Sequence, residues 1–186
     1  MTPQLIRVSK FLAKYLRHEP EELGLTLMPG GWVSIAAVIE GARQKHFPVT
    51  LEEIKECVKL NDKKRFSLDS TQTLIRANQG HSTPVDLQLE EKEPPALLYH
   101  GTVNRFLAEI KTKGLLRMDR HHVHLSPDTD TAIKVGSRRG KPIILVVRSG
   151  DMHRDGYKFF QSENGVWLTD RVPPQYIQWE SIRREG

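Results

Sequence analysis

A single cysteine, Cys57, stands in this chain of 186 residues. It has no partner for an internal disulfide, and zinc sites built on several thiolates are excluded with it. Long hydrophobic runs are missing too: none approaches the ~20 residues of a membrane span, and the first residues lack the apolar core of a signal peptide. A cytoplasmic protein with no membrane partner is the expectation. The glycine signatures of the common nucleotide and hydrolase folds are also absent. There is no G-x-x-x-x-G-K-[ST] loop, no G-x-G-x-x-G and no G-x-S-x-G elbow, so P-loop, Rossmann and elbow-serine chemistry lose support. His121, His122 and His124 fall close together, and on a strand the last two would share a face. No carboxylate or cysteine at a convincing spacing completes a zinc set, and no metal site is expected.

What is present is a globular balance of 38% hydrophobic and 27% charged residues, with a net charge of +5. The surplus is spread along the chain. Residues 1–88 carry 12 basic against 10 acidic side chains, and residues 89–186 carry 16 against 13. Charge alone therefore favours a nucleic-acid partner only slightly.

The stretch "STPVDLQLEEKEPPA", Ser82 to Ala96, is proline-bearing, acidic and aperiodic, which reads as a linker over 83–96 between two lobes. In the first lobe (1–82), Leu5, Val8, Leu12 and Tyr15 form the stripe of an amphipathic helix that Pro3 would open. "GGWVSIAAVIEGARQ" supplies a Gly-Gly turn, Ser34 as N-cap, and Ile35, Val38, Ile39 and Ala42 on one face. Thr50 and Glu53 stand at capping-box spacing ahead of Leu51, Ile54 and Val58. "RFSLD" and "TLIRA" then read as a hairpin. Three short helices followed by a hairpin is the element order of a winged helix-turn-helix. Its third helix, "LEEIKECVK", is mixed in sign, which argues against sequence-specific DNA reading.

The second lobe (97–186) reads as strand-rich with two helices, an α+β arrangement rather than a doubly wound sheet. "ALLYHGTV" is a strand ending in a His-Gly-Thr turn. "NRFLAEIKTKGLL" is a helix with Asn104 as its cap and Gly114 as its stop. "HHVHLSPD" alternates like a strand, "TDTAIKVGSRRG" is a helix ending in a basic turn, and "KPIILVVRS" is the most apolar strand. One or two strands flank the Asn-Gly turn in "DGYKFFQSENGVWLT".

The chemistry-bearing signal is a set of arginines next to histidines or glycines. Arg17 and His18 end the first helix, Arg76 leaves the hairpin ahead of Gly80 and His81, and Arg138 and Arg139 sit in "GSRRG". A guanidinium is always charged, and its planar fork matches the oxygens of a phosphoryl group. Each arginine alone reads more readily as a solvated surface charge or a surface ion pair; the set together suggests one anion site assembled from separate elements.

With "KYLRH", "GGWV", "DKKRF", "IRANQGHS", "YHGT", "HVHLS", "RRGKP" and "NGVWLT" in that order, the chain resembles the RNA 2′-phosphotransferase family (Tpt1/KptA) over essentially its whole length. The resemblance implies a winged-helix RNA-binding lobe and an ADP-ribosyltransferase-like lobe that binds NAD+. It also implies removal of an internal 2′-phosphate from RNA, such as one left at a tRNA splice junction. The phosphate is transferred to NAD+ through an ADP-ribosylated intermediate, releasing nicotinamide and ADP-ribose 1″,2″-cyclic phosphate.

By the same resemblance Arg17, Arg76 and Arg138 hold the 2′-phosphate and His18 donates a hydrogen bond or proton. A one-residue slip would put Arg139 in place of Arg138. His81 and Ser82 either support this turn or are purely structural. His100, Gly101 and Thr102 would contact ADP-ribose, and His124 and Ser126 would line the nicotinamide-ribose pocket. Val166 falls where many ADP-ribosyltransferases carry a glutamate, which makes protein ADP-ribosylation a poor expectation. Two other readings remain open: an ADP-ribosyltransferase capping terminal phosphates of nucleic acid, and a non-catalytic winged-helix sensor of NAD+ or ADP-ribose. A monomer is the default expectation.

Overall fold

Helix α1 (Pro3–Arg17) forms where Thr2 caps it, its hydroxyl accepting from the Leu5 N–H at 3.3 Å, and where Pro3 occupies the first turn. Its stripe of Leu5, Val8, Leu12 and Tyr15 is buried. Strand β1 (Val33–Ser34) runs directly into α2 (Ile35–Gln44), whose cap is Ser34. Helix α3 (Leu51–Leu60) carries a complete capping box: the Glu53 N–H donates to Thr50 Oγ1 at 3.1 Å, and the Thr50 N–H donates to Glu53 Oε2 at 2.9 Å. Strands β2 (Phe66–Leu68) and β3 (Leu74–Ala77) pair antiparallel as a hairpin. The Asp69 carboxylate closes its turn by accepting from the Thr73 and Leu74 N–H groups at 2.9 and 2.7 Å. Strand β1 joins the other edge of β3, giving the order β1-β3-β2. Two residues are too few for an alternation to show, so β1 is invisible in the sequence pattern. The helices and this sheet enclose a core that includes Leu12, Val38, Ile54 and Ile75.

The computed structural model describes residues 1–183 and packs as two units, Met1–Leu89 and Glu90–Gly186. Residues of the proline-bearing stretch adhere to one unit or the other. Ser82 and Thr83 donate their N–H groups to the Arg17 carbonyl, and Leu87 is buried. The Lys92 N–H donates to the Phe159 carbonyl, and the Pro95 carbonyl accepts from Ser149 Oγ.

In the second unit β4 (Leu98–Val103) is followed by α4 (Leu107–Lys113), β5 (Leu115–Leu116), β6 (Val123–Leu125) and α5 (Thr129–Gly136). Next come β7 (Pro142–Val147), α6 (Ser149–Arg154), β8 (Phe160–Gln161), β9 (Trp167–Thr169), β10 (Arg171–Val172) and β11 (Ile177–Arg183). The strands pair as β11-β7-β4, β6-β9-β8 and β10-β5. Every pairing is antiparallel, so the arrangement is α+β. Leu98, Leu145, Phe159 and Met152 are among its core residues.

Three local expectations are corrected. His100, Gly101 and Thr102 lie inside a strand rather than in a turn, because β4 pairs with β7 along its whole length, from Leu98↔Val147 to Val103↔Pro142. Asn104 does not cap α4, which is entered through a 3₁₀ turn at Asn104–Phe106 without a side-chain cap. A third helix, α6, is present; at six residues it is too short to display a helical period. Among the described residues no helix is long and apolar enough to cross a membrane, and no group of His, Cys, Asp and Glu side chains could hold a metal ion.

Candidate active site

In the first unit the segment after β3 folds back onto the end of α1. The N–H groups of Ser82 and Thr83 donate to the Arg17 carbonyl at 2.9 and 3.2 Å, satisfying a helix-terminal acceptor. The same contact sets Ser82 Oγ 2.8 Å from Nδ1 of His18, the residue that caps the helix. His81 is fully buried. A side chain at Gly31, whose φ is +77°, would come within 3.5 Å of His81 Nε2 and 3.2 Å of Leu87. The Gly-Gly turn is thus packed against the 81–87 segment, and the Gly30 N–H donates to the Asp86 carbonyl at 2.8 Å.

Arg17 and Arg76 both lie over aromatic rings. The Arg76 guanidinium is 4.5 Å from the centre of the Trp32 ring, and that of Arg17 is 5.9 Å from the centre of Phe66. Arg76 also donates from Nη1 to the Gly30 carbonyl at 3.4 Å. A guanidinium stacked on a ring keeps its N–H edges available for a planar acceptor such as a phosphoryl group. Arg17, His18, Arg76, His81 and Ser82 therefore belong to one local scaffold.

In the second unit an isolated bridge joins Tyr99 to Ser126, with the Ser126 N–H donating to Tyr99 O at 2.7 Å. It brings His100 beside His124. His100 Nδ1 lies 3.0 Å from the His124 carbonyl, which can only accept, so Nδ1 carries the proton and Nε2 is left as an acceptor. Burial of the His100 ring, then the charges of Arg139 and Arg120, lowers its pKa and favours this neutral form. Arg120 Nη1 is 3.3 Å from His124 Nδ1. Partial burial, followed by the charges of Arg139 and Arg138, lowers the pKa of Arg120. Arg139 and Arg138 thus each repel Arg120 here, and among the described residues no carboxylate forms an ion pair with any of the three. Such a cluster can hold a phosphoryl or diphosphate group.

Both members of the "RRG" pair are exposed. Arg139, not Arg138, acts on His100, and Arg139 also lies 5.9 Å from the Phe106 ring centre. Thr102 is buried within β4. Val166 precedes β9; continuing the register of Leu125↔Trp167 by one step sets it across from Ser126. Gly101 has a packing reason of its own: a Cβ there would lie 1.9 Å from the Ala132 carbonyl oxygen and 2.8 Å from the Gly136 nitrogen of α5. Sequence reasoning missed Arg120 and Trp32. The position of Arg120, four residues before His124, and the Trp of the Gly-Gly-Trp turn were the available signals.

An α+β protein with arginines set beside histidines in each unit is suited to phosphorylated ligands. The family model described as "RNA 2'-phosphotransferase, Tpt1 / KptA family" matches residues 3–171. A "Probable RNA 2'-phosphotransferase" of Nostoc punctiforme is 52% identical over 175 residues, 94% of this chain and 97% of that protein. Proteins with the same description from Flavobacterium johnsoniae and Streptomyces coelicolor are 53% and 52% identical over 174 residues. Each match covers 94% of this chain, and 96% and 94% of those proteins respectively. The chain belongs to the RNA 2′-phosphotransferase family.

Proposed function

We propose that this protein is an NAD-dependent RNA 2′-phosphotransferase that removes an internal 2′-phosphate. The observation that carries the reading is the placement of arginines beside histidines in both units; family membership supports it. In this reading residues 1–82 are a winged-helix RNA-binding lobe, 83–96 connect, and 97–186 are an ADP-ribosyltransferase-like lobe that takes NAD+ as a consumed substrate. The neutral acceptor on His100 suits a ribose hydroxyl, and the Arg120 and Arg139 guanidinium groups beside it suit a dinucleotide's diphosphate. Thr102, His124, Ser126, Val166 and the main chain of Gly101 complete the proposed pocket.

The chemistry then runs in two steps. An oxygen of the RNA 2′-phosphate attacks C1″ of the nicotinamide ribose, and the bond to nicotinamide breaks with its electron pair leaving on nitrogen. A phosphate dianion is already nucleophilic, so this step needs positioning more than a base. The ribose O2″ then loses its proton and attacks the phosphorus. The bond to the RNA 2′-oxygen breaks, and that oxygen takes a proton to become the free 2′-OH. Arg17, Arg76 and Arg138 hold the phosphoryl oxygens as charge builds on phosphorus, with His18 as the donor to the leaving oxygen.

The test is a short RNA with one internal 2′-phosphate, incubated with the protein and NAD+. Expected are loss of the 2′-phosphate, release of nicotinamide and formation of ADP-ribose 1″,2″-cyclic phosphate. Arg17→Ala or Arg76→Ala should lower the rate by ~10²–10³ or trap ADP-ribosylated RNA. Nicotinamide release with the phosphate left permanently capped would make the protein a one-step transferase. NAD+ binding without nicotinamide release would make it a sensor.

A further inference from the structure

We infer that Trp32 is a positioning residue for the phosphate chemistry, acting by fixing the plane of the Arg76 guanidinium. This rests on the reading of Arg76 as a ligand of the 2′-phosphate. The backbone brings the two residues together. Strand β1 pairs with β3 at Val33↔Ile75, so one further step of the register sets Trp32 across from Arg76. Cross-strand neighbours share a face at side-chain contact distance. Ile75 is buried in the core, so Arg76, its neighbour in the strand, points to the opposite face.

The turn before Trp32 is shaped around this pair. Gly30 and Gly31 have φ of +80° and +77°, a region open to glycine at no steric cost. They fold the chain so that the Met28 N–H donates to Trp32 O at 2.9 Å and the Gly30 carbonyl accepts from Arg76 Nη1 at 3.4 Å. A Cβ at Gly30 would sit 3.0 Å from Trp32 Cδ1 and 3.5 Å from Arg76 Nη1, at the edge of the stack. The guanidinium Cζ lies over the indole, 4.5 Å from the ring centre, and the Gly30 carbonyl takes one N–H of the group. Rotation about the last side-chain bonds is thereby restricted. A clamp that works by geometry gains from this, because misplacement of about 1 Å can cost ~10² in rate.

The experiment compares Trp32→Phe, which keeps an aromatic face, with Trp32→Leu, which keeps apolar bulk without one. Each is made in the natural protein and in Arg76→Lys, whose ammonium lacks a plane to stack. Single-turnover rates and KM for the 2′-phosphorylated RNA are measured beside melting temperature. Expected is a loss of about 2- to 30-fold in kcat for Trp32→Leu, with KM and melting temperature little changed. Trp32→Phe should recover most of the rate, and Trp32→Leu should add nothing in the Arg76→Lys background. Equal rates for the Leu and Phe variants, or losses that multiply in the Arg76→Lys background, would overturn the inference while leaving the role of Arg76 intact. Full activity of Arg76→Ala, or no phosphate removal by the natural protein, would instead overturn the underlying reading and this inference with it.

Discussion

Substituting Gly101 by alanine should unfold the second unit at a markedly lower temperature. The added Cβ would lie 1.9 Å from the Ala132 carbonyl oxygen, about 1.5 Å inside an ordinary 3.4 Å contact. No side-chain rotation relieves this, because the Gly136 nitrogen, the next atom met at 2.8 Å, is backbone too. Strand β4 cannot retreat either, since β7 pairs with it from end to end. Helix α5 must move away, and a gap must open where it now lies directly on the strand. Overpacking costs about 1–3 kcal/mol when neighbours can adjust; a rigid helix pressed against a fully paired strand belongs at the top of that range or above it. For a unit of about 100 residues, each kcal/mol is about 4–8 °C of Tm, so a fall of about 12–24 °C is expected. Calorimetry of Gly101→Ala beside Gly156→Ala separates packing from backbone strain. Gly156 has φ +91° with nothing within 4 Å of its Cβ position, so alanine there costs only the left-handed backbone, about 1–2 kcal/mol. A Gly101→Ala shift below that of Gly156→Ala would refute the packing argument.

His100 should titrate below the ordinary histidine value of about 6.5, with its proton on Nδ1, as NMR of the imidazole nitrogens can report. Because its pKa is lowered in the fold, the unfolded chain takes up a proton first as pH falls. Stability contributed by neutral His100 is therefore present above about pH 6.5 and declines below it; a measured value at or above 6.5 would contradict the burial argument. Ser82→Ala removes the 2.8 Å partner of His18 Nδ1. If His18 serves the second step, ADP-ribosylated RNA should accumulate, with about a tenfold slower second step and an unchanged first step. Equal slowing of both steps would assign Ser82 to the turn alone.

Much of the first unit is legible locally. The proline and stripe of α1, the Ser34 cap, the Thr50–Glu53 box and the hairpin around Asp69 each rest on residues within one or two turns of one another. Strand β1 was not legible, since it exists only because β3 offers an edge to two residues. In the second unit, His-Gly-Thr reads as a turn because glycine commonly ends strands. It is strand because β7 supplies six partners and α5 fills the space that a Cβ would take.

By its own chemistry the sequence determined the helices and their caps, the hairpin, the absence of disulfide and P-loop chemistry, and the ordered motifs that assign the family. Tertiary structure decided the rest. It set Trp32 across from Arg76, Ser82 against His18, and Arg120 and Arg139 around His100. It also gave Gly101 a helix to accommodate. These relations join residues some twenty to sixty positions apart, and strand register and backbone packing, rather than local propensity, bring them together.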